Sequence, residues 1–260
     1  MKRLLISTFA ALLLAAPINI HAKTINWGIY HEIPGEIPEG NTTNEYLKEF
    51  DACFHAESDG EKVLYLTFDT GYEDGNMTKI LDILRDENVP AAFFLLGTYI
   101  KTNPELVLRM VNEGHAVCNH TMTHPDMTKK GAEGFAKELT QAEDVYRELT
   151  GQEMPKYYRP PQGIFNETNL KQAKEMGYKT VLWSIAYSDW IRGNQPPHAQ
   201  SLKTLISRLH PGAIILLHTT STTNAAILDD FIIRARELGY DFKPLSDIFT
   251  PAEEKPPLEF

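Results

Sequence analysis

Val63-Leu-Tyr-Leu-Thr-Phe-Asp-Thr-Gly-Tyr-Glu-Asp-Gly75 decides how this 260-residue chain is read. Val63 to Phe68 is an apolar run rich in aromatic and aliphatic residues, with no Gly or Pro inside it. Such a run, bounded by turn formers, predicts a buried strand. Asp69 stands at its end, ahead of Thr70-Gly71 and a second glycine at 75. A carboxylate at the mouth of a buried strand loses hydration unless something pairs with it. Two readings stay open on this stretch alone: a cap for the helix beginning near Met77, or a general base held on a rigid strand end.

Outward from that strand the pattern alternates. A helix with Ile80, Leu81, Ile83 and Leu84 on its inner side precedes a second strand at 91–96. A helix from Pro104, a favoured first-turn residue, leads to a strand at 116–118. A long helix over about 131–149 precedes a strand at Tyr157-Tyr158, followed by a helix near 167–176 and a strand at 180–183. A helix near 201–209 leads into the most apolar run, Ala213 to Leu217, and a last helix spans 224–238. Gly114, Gly177 and Gly239 end helices immediately before new strands, where a left-handed cap is favoured. This order predicts an α/β domain with parallel strands under covering helices. It does not choose between barrel and open sheet. In both, the loops after the strands share one face.

The rest of the chain sets boundaries. Lys2 and Arg3 precede an apolar run from Leu4 to Ala16, and Ala22 closes a plausible cleavage point. Residues 1–22 therefore read as a secretory signal peptide, with an uncleaved anchor as the other reading, and the globular part is expected outside the cytoplasm. Residues 23–62, with Trp27, Pro34, Gly35, Pro38 and Gly40, read as an irregular extension strapped over the domain. Trp27 is either part of that strap or faces substrate. The domain proper is expected over 63–250, followed by a tail at 251–260. Formal charge is −10, and loss of Lys2 and Arg3 with the leader takes it to −12. An acidic chain without a basic run is a poor nucleic-acid binder. No protein partner is implied, and a monomer is expected. Cys53 and Cys118 are compatible with a disulfide or with two buried thiols.

The strand ends collect Asp69, His120 with His124, Arg159, Asp189 and His218. Taken singly, each has an ordinary structural explanation; together they describe a site. Two histidines four apart, stiffened by Pro125, have metal-ligand spacing. A divalent ion there would polarise a water and a carbonyl. Asp69 could take a proton from that water, with Arg159 keeping it ionised. His218, aligned by Asp189, could return a proton to a leaving group. The Pro160-Pro-Gln-Gly163 turn can offer the backbone N–H of Gln162 to an oxyanion. These parts amount to metal-assisted hydrolysis of an acyl bond. Glu73 and Asp74 offer a paired-carboxylate glycosidase as a rival, but that scheme leaves the histidines and Arg159 without a task.

The set Thr67-Phe-Asp-x-Gly, His120-x3-His124, Arg159-Pro-Pro-x-Gly163, Ser188-Asp-Trp190 and Leu216-x-His218 resembles the five motifs of the polysaccharide deacetylases, carbohydrate esterase family 4, in the family's order. The resemblance spans about 63–250. It implies a single-domain distorted (β/α) barrel of the NodB-homology type that hydrolyses acetyl groups on a polysaccharide. It further implies Asp69 as base, His120 and His124 as ligands of a divalent ion such as Zn²⁺, and Arg159 as tether of the base. Asp189 would support His218 as acid, with Trp190 and Leu216 on the substrate wall. Thr70 departs from the family, which usually has a metal-binding Asp there, so the ion would be weakly held. Gln162 replaces an aromatic residue, and Ala186 stands where a further Asp is common. Asn26-Trp-Gly28, Phe68-Asp-x-Gly-Tyr-Glu-x-Gly75 and the Leu-Leu-His-Thr run resemble the delta-lactam-biosynthetic de-N-acetylase branch. That branch implies peptidoglycan strands as partner and N-acetylmuramic acid as substrate. Other amino-sugar polymers, and a non-catalytic glycan-binding module, are the competing readings.

Overall fold

In the computed structural model, the described residues are 23–30, 33–58, 60–191 and 193–249. The expected signal peptide and the 251–260 tail lie outside them. Val63–Thr70 is buried at all its positions. It is flanked by Ala213–His218 on one side and Ala91–Leu95 on the other. The sheet continues through Ala116–Asn119, Tyr157–Tyr158, Lys179–Val181 and Ala52–Cys53, and Asp241–Phe242 joins the start of Val63–Thr70. All of these pairings are parallel. Single bridges, His55 to Ala213 and Ile185 to Ile215, draw the far side of the sheet back toward the first strands. The result is a distorted, incompletely closed (β/α) barrel in one domain, which answers the question that alternation alone left open.

Alternation along the central strand sorts its side chains. Leu64, Leu66 and Phe68 point outward and pack with Phe93, Leu95 and Leu217 beneath Ile80, Leu81, Leu84, Leu228 and Phe231. Val63 and Tyr65 point inward with Ala92, Phe94, Cys118 and Ile214. The strand period of two then carries Thr67 and Asp69 to the interior. The covering helices are Met77–Asp86, Pro104–Asn112, Ala132–Thr150, Glu167–Glu175, His198–Ser207 and Thr222–Glu237, close to their expected positions. A further short helix, Gly97–Thr102, has no counterpart in the sequence reading.

The extension is a strap in part. Trp27, Leu47, Phe50 and Phe54 pack with Phe165, Leu170 and Leu182, and Ile25–Asn26 pairs antiparallel with Ile164–Phe165. One piece of it belongs to the barrel itself: Ala52–Cys53 lies parallel to Lys179–Val181 as the last strand of the sheet. The domain therefore begins before residue 63. Cys53 and Cys118 are both free and buried, and burial pushes the Cys53 thiol up to about 12.

Candidate active site

The strand ends open into a cleft of about 1090 Å³. Asp69, Thr70, His120, His124, Gln162, Trp190, Leu216 and His218 line it. Arg159 and Asp189 lie directly behind, both completely buried. All ten residues singled out in the sequence are thus gathered at one end of the barrel.

Arg159 leaves the Tyr157–Tyr158 strand and crosses the barrel interior. Its guanidinium donates to Asp69 Oδ1 at 2.8 Å, to Thr67 Oγ1 at 2.9 Å and to the carbonyls of Val181 and Leu182 at 2.9 and 3.3 Å. It also lies 4.1 Å over the Phe94 ring. A buried ion pair holds only when its remaining donors are satisfied, as they are here. Burial by itself would raise the Asp69 carboxyl. Burial is the largest single influence, but the Arg159 guanidinium and its hydrogen bond, together with the neighbouring His120 and His218, outweigh it and hold the carboxyl below the usual carboxylate range. Asp69 is therefore a bound anion, not a helix cap.

His120 follows the Ala116–Asn119 strand. Its Nδ1 lies 2.9 Å from the Arg159 carbonyl, so that nitrogen carries the proton and Nε2 keeps its lone pair. Nε2 sits 3.5 Å from Asp69 Oδ2. Burial lowers the His120 imidazole to about 4, so at neutral pH this contact involves a neutral ring. Burial lowers His124 as well. The two rings stand 5.0 Å apart between centroids. The connecting loop takes the left-handed region at Thr121 and His124, with φ of 74° and 63°. Asn119 accepts from the Thr121 N–H, and Glu138 accepts from the N–H and hydroxyl of Thr123.

Neutral imidazoles, one oriented by a backbone carbonyl, suit a divalent ion. Among the described residues a third protein ligand is lacking. The Thr70 hydroxyl accepts from Thr219 Oγ1 at 3.1 Å. Among the described residues no three His, Cys, Asp or Glu side chains converge on a common point. An ion held by His120 and His124 would complete its shell with water or substrate.

His218 ends the Ala213–His218 strand in register with Asp69 on the neighbouring strand. Asp189 grips it twice, Oδ1 at 2.7 Å from Nδ1 and Oδ2 at 2.8 Å from the backbone N–H. Burial would lower this imidazole, but the Asp189 carboxylate outweighs it and leaves His218 above its ordinary value. The Trp190 ring lies 5.9 Å from His218 and is half exposed. Gln162 sits in the Pro160–Gly163 turn at φ 58°. Gly163 is required there: a Cβ would fall 2.8 Å from the Trp183 ring, and φ is +66°.

Some supporting residues escaped the sequence reading. Asn224 donates to Asp189 Oδ2 at 2.6 Å and to the His218 carbonyl at 3.0 Å. In sequence it is an ordinary helix-start residue. Trp27 belongs to the strap, donating to the Trp183 carbonyl at 3.1 Å, and also lines the cleft. Glu73 is occupied within its own loop, accepting from the Gly75 N–H at 2.6 Å and the Tyr99 hydroxyl at 2.8 Å, which removes it from any carboxylate pair.

Comparison with known proteins agrees with this geometry. Residues 56–181 match the polysaccharide deacetylase family model. The peptidoglycan-N-acetylmuramic acid deacetylase PdaA of Bacillus subtilis (strain 168) is 40% identical over 236 residues, spanning 90% of this chain and 89% of that protein. The solved structure of Bacillus subtilis PdaA, a family 4 carbohydrate esterase, superposes with a TM-score of 0.83 at 39% identity, covering 87% of this chain and 97% of that one. A family 4 carbohydrate esterase from Bacillus anthracis gives a TM-score of 0.72 at 40% identity, covering 87% and 96%.

Proposed function

This chain belongs to the polysaccharide deacetylases of carbohydrate esterase family 4, and from that premise we propose that it removes the N-acetyl group of N-acetylmuramic acid in peptidoglycan. Membership makes it a hydrolase of carbon–nitrogen bonds. The observation that carries the reading is the pairing of an ionised Asp69, fixed by Arg159, with a proton-bearing His218 on the adjoining strand. The muramic substrate is supported by the 40% identity to a protein named for that sugar.

Asp69 is the base that draws a proton from water as the water oxygen attacks the acetyl carbon. The Gln162 N–H faces the oxyanion that forms. His218, protonated on Nε2 and steadied through Nδ1 by Asp189, gives its proton to the leaving nitrogen. The C–N bond breaks, leaving acetate and a free amine. A divalent ion on His120 and His124 would supply Lewis acidity at the carbonyl and a lowered water pKa. The freed amine can then attack the lactyl carboxyl on the same ring, with loss of water, to close a delta-lactam. The leader-like residues 1–22 fit action outside the cytoplasm, where that polymer lies.

Mass spectrometry of peptidoglycan digested after incubation with the protein and Zn²⁺ tests this reading. Muramic residues should lose acetyl, and Asp69→Asn should lower acetate release about 10²- to 10⁴-fold. Acetate from N-acetylglucosamine oligomers but not from muramic residues would move the activity to another amino-sugar polymer. The incomplete donor set around Thr70 favours one second reading, a glycan-binding module without turnover. Calorimetric binding of glycan with no acetate under any divalent ion would establish it.

A further inference from the structure

Gln162 takes φ 58°, a left-handed conformation that suits glycine or asparagine better than glutamine. A residue held there depends on its surroundings to keep it. Within the turn, the Gly163 N–H donates to the Pro160 carbonyl at 3.0 Å and the Ile164 N–H to the Pro161 carbonyl. Further restraint comes from the strap. The Trp27 N–H donates to the Gly163 carbonyl at 2.9 Å, and Ile25–Asn26 pairs with Ile164–Phe165 directly after the turn. Trp27 also abuts the turn from above, since a Cβ at Gly163 would lie 3.0 Å from its own Cβ.

Asn41 holds Trp27 in place from both sides. Its Nδ2 donates to the Asn26 carbonyl at 2.9 Å, and its Oδ1 accepts from the Gly28 N–H. Its backbone N–H donates to the Gly28 carbonyl at 3.2 Å. Gly40, the residue before it, lies so close under the indole that a Cβ there would fall 2.3 Å from the ring. Asn26, Trp27 and Gly28 all line the cleft. The match to the family model begins at residue 56, so this clamp lies outside the segment it covers. A strap needed only to cover apolar surface would be held by Trp27, Leu47, Phe50 and Phe54, which are buried. That packing does not account for an exposed asparagine gripping three backbone groups of the segment that meets the turn.

Resting on the deacetylase reading, in which the Gln162 N–H stabilises the oxyanion, we propose that Asn41 is a positioning residue for catalysis. By clamping residues 26–28 against the 160–163 turn, it keeps that N–H on the acetyl oxygen. Such a donor is worth more in the transition state than in bound substrate, because the negative charge develops only there. Loosening the clamp therefore lowers kcat and leaves KM nearly alone.

The test measures acetate release from peptidoglycan glycan strands with Zn²⁺ present. It compares wild type, Asn41→Ala, Asn41→Asp, Gln162→Asn and the double variant Asn41→Ala/Gln162→Asn. Asn41 is exposed, so its replacement opens no cavity in the core, and the melting temperature should move little. Asn41→Ala should lower kcat about 5- to 50-fold, short of the roughly 10²- to 10³-fold cost of losing one oxyanion donor outright, with KM within about two-fold. Asn41→Asp keeps an acceptor for the Gly28 N–H and should recover part of the loss. Asparagine enters the left-handed region more readily than glutamine, so the turn then needs less help from the strap. Measured in the Gln162→Asn background, the loss caused by Asn41→Ala should shrink to less than about three-fold. An equal loss in both backgrounds would mean that Asn41 acts on the fold and not on the turn, and would overturn the proposal. A raised KM with kcat intact would make the strap a glycan-binding wall and overturn it as well. Wild type inactive on every glycan would defeat the deacetylase reading and this one together. Active wild type matched by Asn41→Ala would defeat this one alone.

Discussion

Two histidines near Asp69 are shifted in opposite directions for one physical reason. Burial depresses both imidazoles; only His218 has a carboxylate pressed against its ring nitrogen. His120 faces the Asp69 carboxylate at a longer 3.5 Å, with the Arg159 guanidinium opposing, and burial wins. His218 faces Asp189 and, across the strand pair, Asp69, against the opposing charge of Arg159, and the carboxylates win. The sign for catalysis follows. A raised pKa keeps His218 protonated to higher pH than an ordinary histidine, so activity is lost as pH climbs through that raised value. Replacing Asp189 with Asn removes the charge while keeping the shape, and burial then prevails. The alkaline limb of kcat/KM should move to lower pH in Asp189→Asn, below about 6.5. An alkaline limb that stays in place would exclude His218 as the proton donor. The same pairing contributes to folding stability below the unfolded histidine value and is lost as pH rises through the folded one.

The loop from His120 to His124 is held by its neighbours against its own backbone preference, because Thr121 and His124 both take the left-handed region. Glu138, on Ala132–Thr150, supplies much of the restraint through Thr123. Glu138→Ala should cost about 1–3 kcal/mol in urea unfolding, since it removes hydrogen bonds from Thr123 to a charged carboxylate. It should also weaken Zn²⁺ binding roughly 10- to 100-fold, because the residue orients a ligand without touching the ion. Calorimetry giving unchanged Zn²⁺ affinity would mean that the loop holds itself. Sequence could not have marked this residue, because nothing distinguishes it from Glu133, Glu143 and Glu148 along the same helix. Ala52–Cys53 escaped for another reason, because two residues are too few to display a period. Gly97–Thr102 is likewise too short to announce itself. The long buried strands and their terminal polar residues were legible because apolar runs ending in Asp or His conflict with ordinary core composition.

At the scale of the whole molecule, barrel closure rests on single bridges between distant segments, which no local pattern encodes. Net charge is the opposite case, readable from composition and acting over the whole surface. A protein of charge −10 repels an anionic glycan at long range, while contacts inside the cleft act over a few ångströms. Salt separates these effects by distance. The screening length falls from about 30 Å at 0.01 M to about 8 Å at 0.15 M, which removes the distant repulsion and leaves a close contact much less affected. For soluble muramic oligomers with free carboxylates, kcat/KM should therefore rise about two- to ten-fold across that range. Neutral N-acetylglucosamine oligomers, measured in parallel, should respond little. A fall with added salt would mean that the local field at the cleft mouth is positive and steers the substrate in, so that the acidic surface has no influence on encounter.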